Sequence, residues 1–368
     1  MRFEIISQPD RSWLQDAWRD LQARADCSFF QSWHWIGAWI EALGQTPPVL
    51  IGRRNSTIVL LATLTPFRRR EPPFFADAAF LNGTGIHAID IITIEYNGFL
   101  IDRDGAAETD HAAMSFLLGG PRLAGKRLGE LHLRGIASGQ EPDSQGWLVS
   151  RPGRRPSYRI DLDALRASGR NYLDTLSANT RQQIRRSARL YEAQGELRLR
   201  RARNPEEQQE FVAGLRELHQ ATWIARGDRG SYGWPFFTRF HDILCARGFE
   251  DGSIELLRLD SGARAIAYIY NFLWRGEALF YQSGLVREDD AKLKPGMVAH
   301  TLAIEDHLAR GSRTYDFMAG ENRYKASLGT RGPDIQYLLY QRPRLPARIE
   351  TGLRALRRRF RPAPEYTD

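Results

Sequence analysis

Apolar residues recur every three to four positions over residues 12–25, where Trp13, Leu14, Ala17, Trp18, Leu21 and Ala25 share one helical face. The same period runs over residues 29–43 through Trp33, Ile36, Trp39, Ile40 and Leu43, until Pro47 and Pro48 break it. The pattern therefore predicts two opening amphipathic helices. It then turns β-rich at 49–53, 57–65, 73–81, 89–94 and 96–101, with Gly, Asn or Pro between the runs. A helix near 105–118 and a strand near 128–134 follow. Residues 135–157, holding Pro142, Pro152 and Pro156, read as a connector with one strand around Trp147 to Ser150.

The second half repeats this grammar. A strand at 158–162 precedes a helix over 169–193, a strand at 196–201 and a helix opened by Asn204-Pro205, where Asn caps, Pro takes the first turn and Glu206-Glu207 suit the helix dipole. Next come a helix near 234–248, strands at 253–259, 263–274 and 277–286, a helix over 295–310, a strand at 314–318, a short helix at 324–328 and a last strand at 335–341. Both halves run helices, β-meander, helix, strand. The expected class is α+β, as two lobes, each a mixed, mostly antiparallel sheet flanked by helices: an N-terminal lobe over 1–150, a C-terminal lobe over 151–345 and a basic tail over 346–368.

The chain has 368 residues, 42% hydrophobic and 26% charged, a globular composition long enough for two cores. No apolar run approaches the ~20 residues that span a bilayer. The N-terminus lacks a cationic segment followed by an apolar one, so a cytoplasmic location is expected. Cys27 and Cys245 can form neither a disulfide framework nor a four-sulfur zinc site, and no metal is expected. The net charge of +8 favours anionic partners. Only four of the 52 basic residues are lysine: Lys126, Lys292, Lys294 and Lys325. Where arginine is the default, a lysine can mark a position that wants a compact ammonium.

Several motifs are weighed and set aside. Gly83-Thr84-Gly85-Ile86-His87-Ala88 fits a dinucleotide fingerprint, but the β-branched residues after it predict a strand where a pyrophosphate site requires a helix. No phosphate loop, zinc-protease helix or serine elbow is present. Arg181, Arg185 and Arg189 share a helical face and read first as a solvated stripe, second as an anion-docking surface. Ile349, Leu353, Leu356 and Phe360 with the arginines of 354–361 form a basic amphipathic pattern that suits peripheral membrane contact or packing on the protein body. His219 and Trp223 lie one helical turn apart, more often a core pairing than a catalytic one.

One stretch carries chemistry. From Leu279 to Gly320 the order is strand, basic loop with Lys292, Lys294 and Gly296, helix, strand, then Tyr324-Lys325. A basic loop opening directly into a helix is an anion trap, suited to the pyrophosphate of coenzyme A.

The pieces Tyr172 to Ser177 with Arg181 and Arg185-Arg186, Leu218-His219 to Gly227, Phe280 to Gly284, Lys294-Pro295-Gly296, Asp316 with Gly320, and Tyr324-Lys325 stand in an order that resembles the CelD/BcsL-type acetyltransferases of the GCN5-related N-acetyltransferase (GNAT) superfamily, relatives of the Fem peptidoglycan aminoacyltransferases. The likeness covers about 158–340 and extends weakly to Phe30-Gln31-Ser32-Trp33. The chain departs from the commoner Q/R-x-x-G-x-G/A loop, keeping Lys294-Pro295-Gly296. The resemblance implies two GNAT-like lobes and transfer of an acyl group from acyl-CoA, as co-substrate, to an amine of a sugar, amino acid or peptide, without a covalent enzyme intermediate. It implies Lys325, Tyr324, Asp316, Gln282 and Ser283 as the catalytic set, and Lys292, Lys294, Pro295, Gly296 and Met297 as the donor-binding set. Competing expectations are Fem-like transfer from an aminoacyl-tRNA, an acyl carrier protein as donor partner, and an inactive GNAT-like scaffold in polysaccharide or secondary-metabolite assembly.

Overall fold

Alternating apolar runs that cannot bury both faces alone collapse into sheets covered by amphipathic helices, and here they do so twice. The computed structural model describes residues 1–71, 74–345, 347–350 and 352–353. The chain divides into one unit of Met1–Arg155 with Pro333–Asp368 and a second of Pro156–Gly332. Each is α+β.

In the first unit the strand order is Arg2–Ile6, Val49–Arg54, Thr57–Glu71, Phe74–Leu81, Glu130–Ala137, Ile335–Gln341 and Leu148–Arg155. Neighbours are antiparallel except Phe74–Leu81 and Glu130–Ala137, which run parallel over Ala78–Phe80. Helices Arg11–Arg24 and Trp33–Leu43 bury Leu14, Trp18, Leu21, Trp33, Ile36, Trp39 and Ile40 on the faces their spacing predicts, and the second helix buries Trp35 on its other side as well. Two expectations are corrected. The strand Ile335–Gln341, expected in the second lobe, lies inside this sheet between two strands of the first unit, with Leu338 and Tyr340 in its core. Residues 89–94 form no strand. Instead a single helical turn, His87–Asp90, follows the glycine loop, and Asp90 accepts the amides of Thr84 and Gly85. The loop thus spends its donors on its own carboxylate. Of the basic tail, residues 346, 351 and 354–368 lie outside the described residues; Ile349 and Leu353 are exposed, whereas Glu350 is buried.

The second unit orders its strands Leu197–Arg201, Ile254–Ser261, Arg264–Trp274, Glu277–Leu285, Thr314–Ala319, Ser157–Asp161 and Thr330–Arg331. Helix Pro205–Ile224 starts as the sequence predicts, with the Asn204 side chain accepting the Glu207 amide at 2.8 Å. The helix expected from 169 begins only at Ala178, where Ser177 caps it through the Thr180 amide. No described helix is long and apolar enough to cross a membrane.

A buried ionic cluster ties Glu350 to the first sheet. Arg69 forks onto Glu130 at 3.0 and 2.6 Å and onto Glu350 at 2.7 and 2.8 Å, all three side chains being under one-tenth exposed. Burial pushes the Glu130 carboxyl up, but hydrogen bonds from His132, Arg69 and Gln341 outweigh it and hold it at about 2. Replacing Arg69 by Ala strands two buried carboxylates and is expected to cost about 3–5 kcal/mol in urea unfolding. Because the folded pKa lies below the unfolded one, Glu130 contributes stability above pH ~4.5 that is lost as pH falls toward 2. In Glu130→Gln that part of the acid limb should flatten.

Candidate active site

The second sheet holds one parallel neighbour pair, and it is short. Strand Glu277–Leu285 pairs antiparallel with Arg264–Trp274 along its length, but parallel with Thr314–Ala319 only through Glu277–Leu279 against Thr314–Asp316. Beyond those three residues the strands part. Both sides have a local cause. On one strand the register jumps from Tyr270↔Gln282 to Asn271↔Phe280, leaving Tyr281 as a bulge, which bends and twists its strand. On the other, Met318 takes φ +59°, a strained value for a non-glycine residue, and the Asp316 carboxylate accepts its amide at 2.6 Å. The antiparallel partner skips at the same place, from Arg159↔Asp316 to Ser157↔Ala319. Asp316 therefore acts on the backbone that turns the strand away.

Beside this divergence Phe280, His300, Phe317, Tyr324 and Lys325 pack on one another. The His300 ring lies 4.4 Å from Phe280, 5.1 Å from Phe317 and 5.6 Å from Tyr324, which it stacks at 16°. Burial, with the Lys325 ammonium as second cause, lowers the His300 imidazole to about 3, so it is neutral. The Lys325 side chain, buried at 7% exposure, reaches back so that Nζ donates to the Ala319 carbonyl at 2.6 Å and sits 5.8 Å from the Phe280 ring centre. A Cβ at Gly320 would stand 2.9 Å from Nζ. Glycine there admits the lysine, and a guanidinium would not fit the same space, which accounts for this rare lysine.

On the other face of the strand the bulge turns Tyr281 and Gln282 toward the helices Pro205–Ile224 and Pro235–Glu250. The Tyr281 hydroxyl meets His241 Nε2 at 3.1 Å, and His241 Nδ1 meets the Tyr270 hydroxyl at 3.3 Å. Cys245 Sγ donates to that hydroxyl at 3.3 Å, and burial pushes the thiol up to about 11, an inert state. Gln282 Nε2 donates to His219 Nε2 at 3.1 Å, while Gln282 Oε1 is buried with no partner among the described residues. Burial lowers His219 to about 4. The helix can approach because residue 284 is glycine: a Cβ there would lie 2.5 Å from the Leu215 carbonyl oxygen. Ser283, alternating with Gln282, belongs to the Phe280 face.

The loop before helix Pro295–Ala309 differs from the cradle expected of it. Pro295 takes the first helical position and is buried, and Gly296 packs on Leu285, with room for a Cβ only at 2.9 Å. Met297 and Val298 donate their amides to the Lys294 carbonyl at 3.1 and 3.2 Å, and the Lys294 amide donates to Ser187 Oγ at 2.8 Å. The row of open amides is thereby narrowed to that of Gly296. The Lys294 ammonium bonds the neutral Gln183 at 2.7 Å and meets no carboxylate among the described residues, while Lys292 is exposed. Lys325, Tyr324 and Asp316 thus gather beside the divergence, Gln282 on the reverse of its strand, and Lys292 to Met297 at the start of the following helix. The bulge at Tyr281 and the His241 partnership were missed from sequence. The one available signal was the Tyr-Gln-Ser run within a strand, which carries no period of its own.

Residues 178–326 match the family model described as Acetyltransferase (GNAT) domain. Among solved structures, FemX superposes with TM-score 0.58 at 12% identity, over 93% of this chain and 97% of its own. L-PGS from Bacillus licheniformis does so with TM-score 0.51 at 12% identity, over 95% and 98%. At such identities these two structures share the fold. No curated protein matches the chain in sequence. The segment that matches the GNAT acetyltransferase model contains both parting strands, the helix between them and Lys325.

Proposed function

We propose that this protein transfers an acyl group from acyl-CoA to the amine of a sugar, amino acid or peptide, with the thioester lying in the gap between the strands Glu277–Leu285 and Thr314–Ala319. The observation that carries this reading is the three-residue parallel pairing, because beyond Leu279 the first strand has no strand paired on that side among the described residues. Unpaired strand amides are donors a thioester carbonyl and an extended pantetheine arm can use, and fixed backbone N–H groups stabilise a developing oxyanion without reorganisation. The amine attacks the thioester carbonyl, the C–N bond forms, the oxyanion collapses and the C–S bond breaks, releasing thiolate; the amine loses one proton.

Chain residues fill the remaining roles. The Lys325 ammonium, fixed by Ala319 at the gap, lends positive charge to the oxyanion or the leaving thiolate. Lys294 and Lys292, with the Gly296 amide at the helix start, receive the coenzyme's phosphates. Gln282 is a positioning residue: its unpartnered Oε1 awaits a donor. Neutral His219 can take a proton at Nε2, after which rotation of the Gln282 amide brings Oε1 to that N–H. An imidazole lowered to about 4 carries that proton only in passing, so the pair relays the amine's proton onward to water.

Aminoacyl transfer from an aminoacyl-tRNA is the second reading, favoured by one surface. Arg185, Arg186 and Arg189 on helix Ala178–Glu192 are exposed, and among the described residues no carboxylate pairs with any of them. A polynucleotide donor neutralising several phosphates gives a steep salt dependence, a single coenzyme a shallow one.

In calorimetry with acetyl-CoA, Lys294→Ala should weaken binding about tenfold or more, while Lys325→Ala should leave binding within about threefold and reduce turnover by at least about a hundredfold. The reverse pattern would undo these roles. The NMR titration of the His219 imidazole should have its midpoint near 4. Its neutral form then persists to low pH, and kcat/KM should show no ionisation of this group near pH 6.5; a midpoint near 6.5 would contradict the desolvated setting described for it. Raising salt from 50 to 200 mM should weaken acetyl-CoA binding by less than about tenfold. If instead tRNA binds and loses about a thousandfold over that range, the second reading prevails.

A further inference from the structure

The first unit has its own short parallel pair, Ala78–Phe80 against Glu130–His132, and past its end lies a cavity of about 320 Å³. Its walls are Trp39, Phe80, Arg134 and Tyr337, with the segment 82–95 and the strand ends at 153–155 and 335–337. Nothing in the acyl-transfer chemistry uses it.

Arg134 is held as a receptor. Its guanidinium carbon stands 5.1 Å from the Phe80 ring centre and 5.4 Å from that of Tyr337. Rings within this distance fix the guanidinium plane, and its N–H edges stay available for in-plane bonds. Nη1 meets Asp90 at 3.2 Å; Nε and Nη2 have no partner among the described residues. Tyr337 is fixed in turn by its hydroxyl against His132 Nδ1 at 2.6 Å, and His132 Nε2 faces Glu130 at 3.4 Å in the buried ionic cluster. The segment over the cavity is built at a cost in backbone strain: Asn82, Thr93 and Tyr96 take φ of +50°, +45° and +48°, and Thr93 is β-branched. At Gly135, φ is +78° and a Cβ would stand 2.1 Å from the Ile94 carbonyl oxygen, so only glycine lets the segment close on its strand. Strain held in place by such packing concentrates at ligand sites.

We infer that this cavity binds a small organic monocarboxylate with an aromatic or apolar body. The free fork of Arg134 matches a carboxylate in its plane. Asp90 already offsets part of the Arg134 charge, which favours a singly charged group over a phosphate dianion. The tryptophan, phenylalanine and tyrosine walls take the body of the ligand.

The test uses the full chain and ligand-observed fluorine NMR with two probes of one shape, 4-(trifluoromethyl)benzoate and 4-(trifluoromethyl)benzamide. The benzoate should broaden saturably at one site and bind at least about tenfold tighter than the amide. Arg134→Gln should abolish that preference with an unchanged fold by circular dichroism. If this variant does not fold, Arg134→Lys, which keeps the charge and loses the fork, should weaken the benzoate at least about fivefold. Saturating acetyl-CoA should not displace the benzoate. Equal binding of the two probes, no binding of either, unchanged affinity in the Arg134 variants, or displacement by acetyl-CoA would each overturn the inference. None of these outcomes depends on acyl transfer, so this site and the gap in the second unit can fail separately.

Discussion

Three parallel residue pairs, Glu277–Leu279 with Thr314–Asp316, are the constraint on which the proposed chemistry of the second unit depends. A sheet normally extinguishes its backbone donors by pairing every strand with a neighbour. Here the pairing is kept just long enough to hold the strands in one sheet and is then broken from both sides. The Tyr281 bulge bends one strand, and the Asp316–Met318 turn bends the other. The strain at Met318 costs of order 1–3 kcal/mol and persists because the carboxylate and the antiparallel neighbour over-determine it. A uniform sheet of this composition would be more stable and would offer no open strand edge to a substrate.

The side chains around the opening are arranged by the same break. A buried ammonium is costly unless hydrogen-bonded, and Lys325 meets that demand at a carbonyl of the very strand that has turned away. His300, neutral beside the divergence, separates that ammonium from the Tyr315 hydroxyl, which it meets at 3.0 Å. On the reverse face a bulge places two consecutive residues, Tyr281 and Gln282, toward the same helices, each against a histidine. One strand thus presents backbone to one side and a polar pair to the other.

Much of this was legible in the residues, and the failures have physical causes. Helix faces were readable because burial imposes a 3.6-residue period: Leu14, Trp18 and Leu21 are where it puts them. The capped start at Asn204-Pro205 was local chemistry, and so was the helix opening at Pro295. Lys325 stood out because lysine is rare in this chain. The strand Ile335–Gln341 was found as a strand but placed in the wrong unit, since pairing partners distant in sequence leave no trace in a periodic pattern. Residues 89–94 have strand-like composition, yet the Asp90 carboxylate gathers the loop's amides and nucleates a turn there. The open amides expected at Pro295 are mostly spent on Lys294, because proline at the first position lets the helix close its bonds at once. The bulge at Tyr281 depends on registry with Arg264–Trp274, which no single strand encodes.

The central claim concerns backbone amides, and hydrogen–deuterium exchange reads them directly. With saturating acetyl-CoA, the alternate amides within residues 280–285 that face away from strand Arg264–Trp274 should exchange at least about tenfold more slowly than in the free protein, together with that of Gly296, while strand Ile254–Ser261 is unchanged. Acetyl-CoA that binds yet leaves 280–285 exchanging as before would contradict the account, because the open strand edge would then not be where the donor lies.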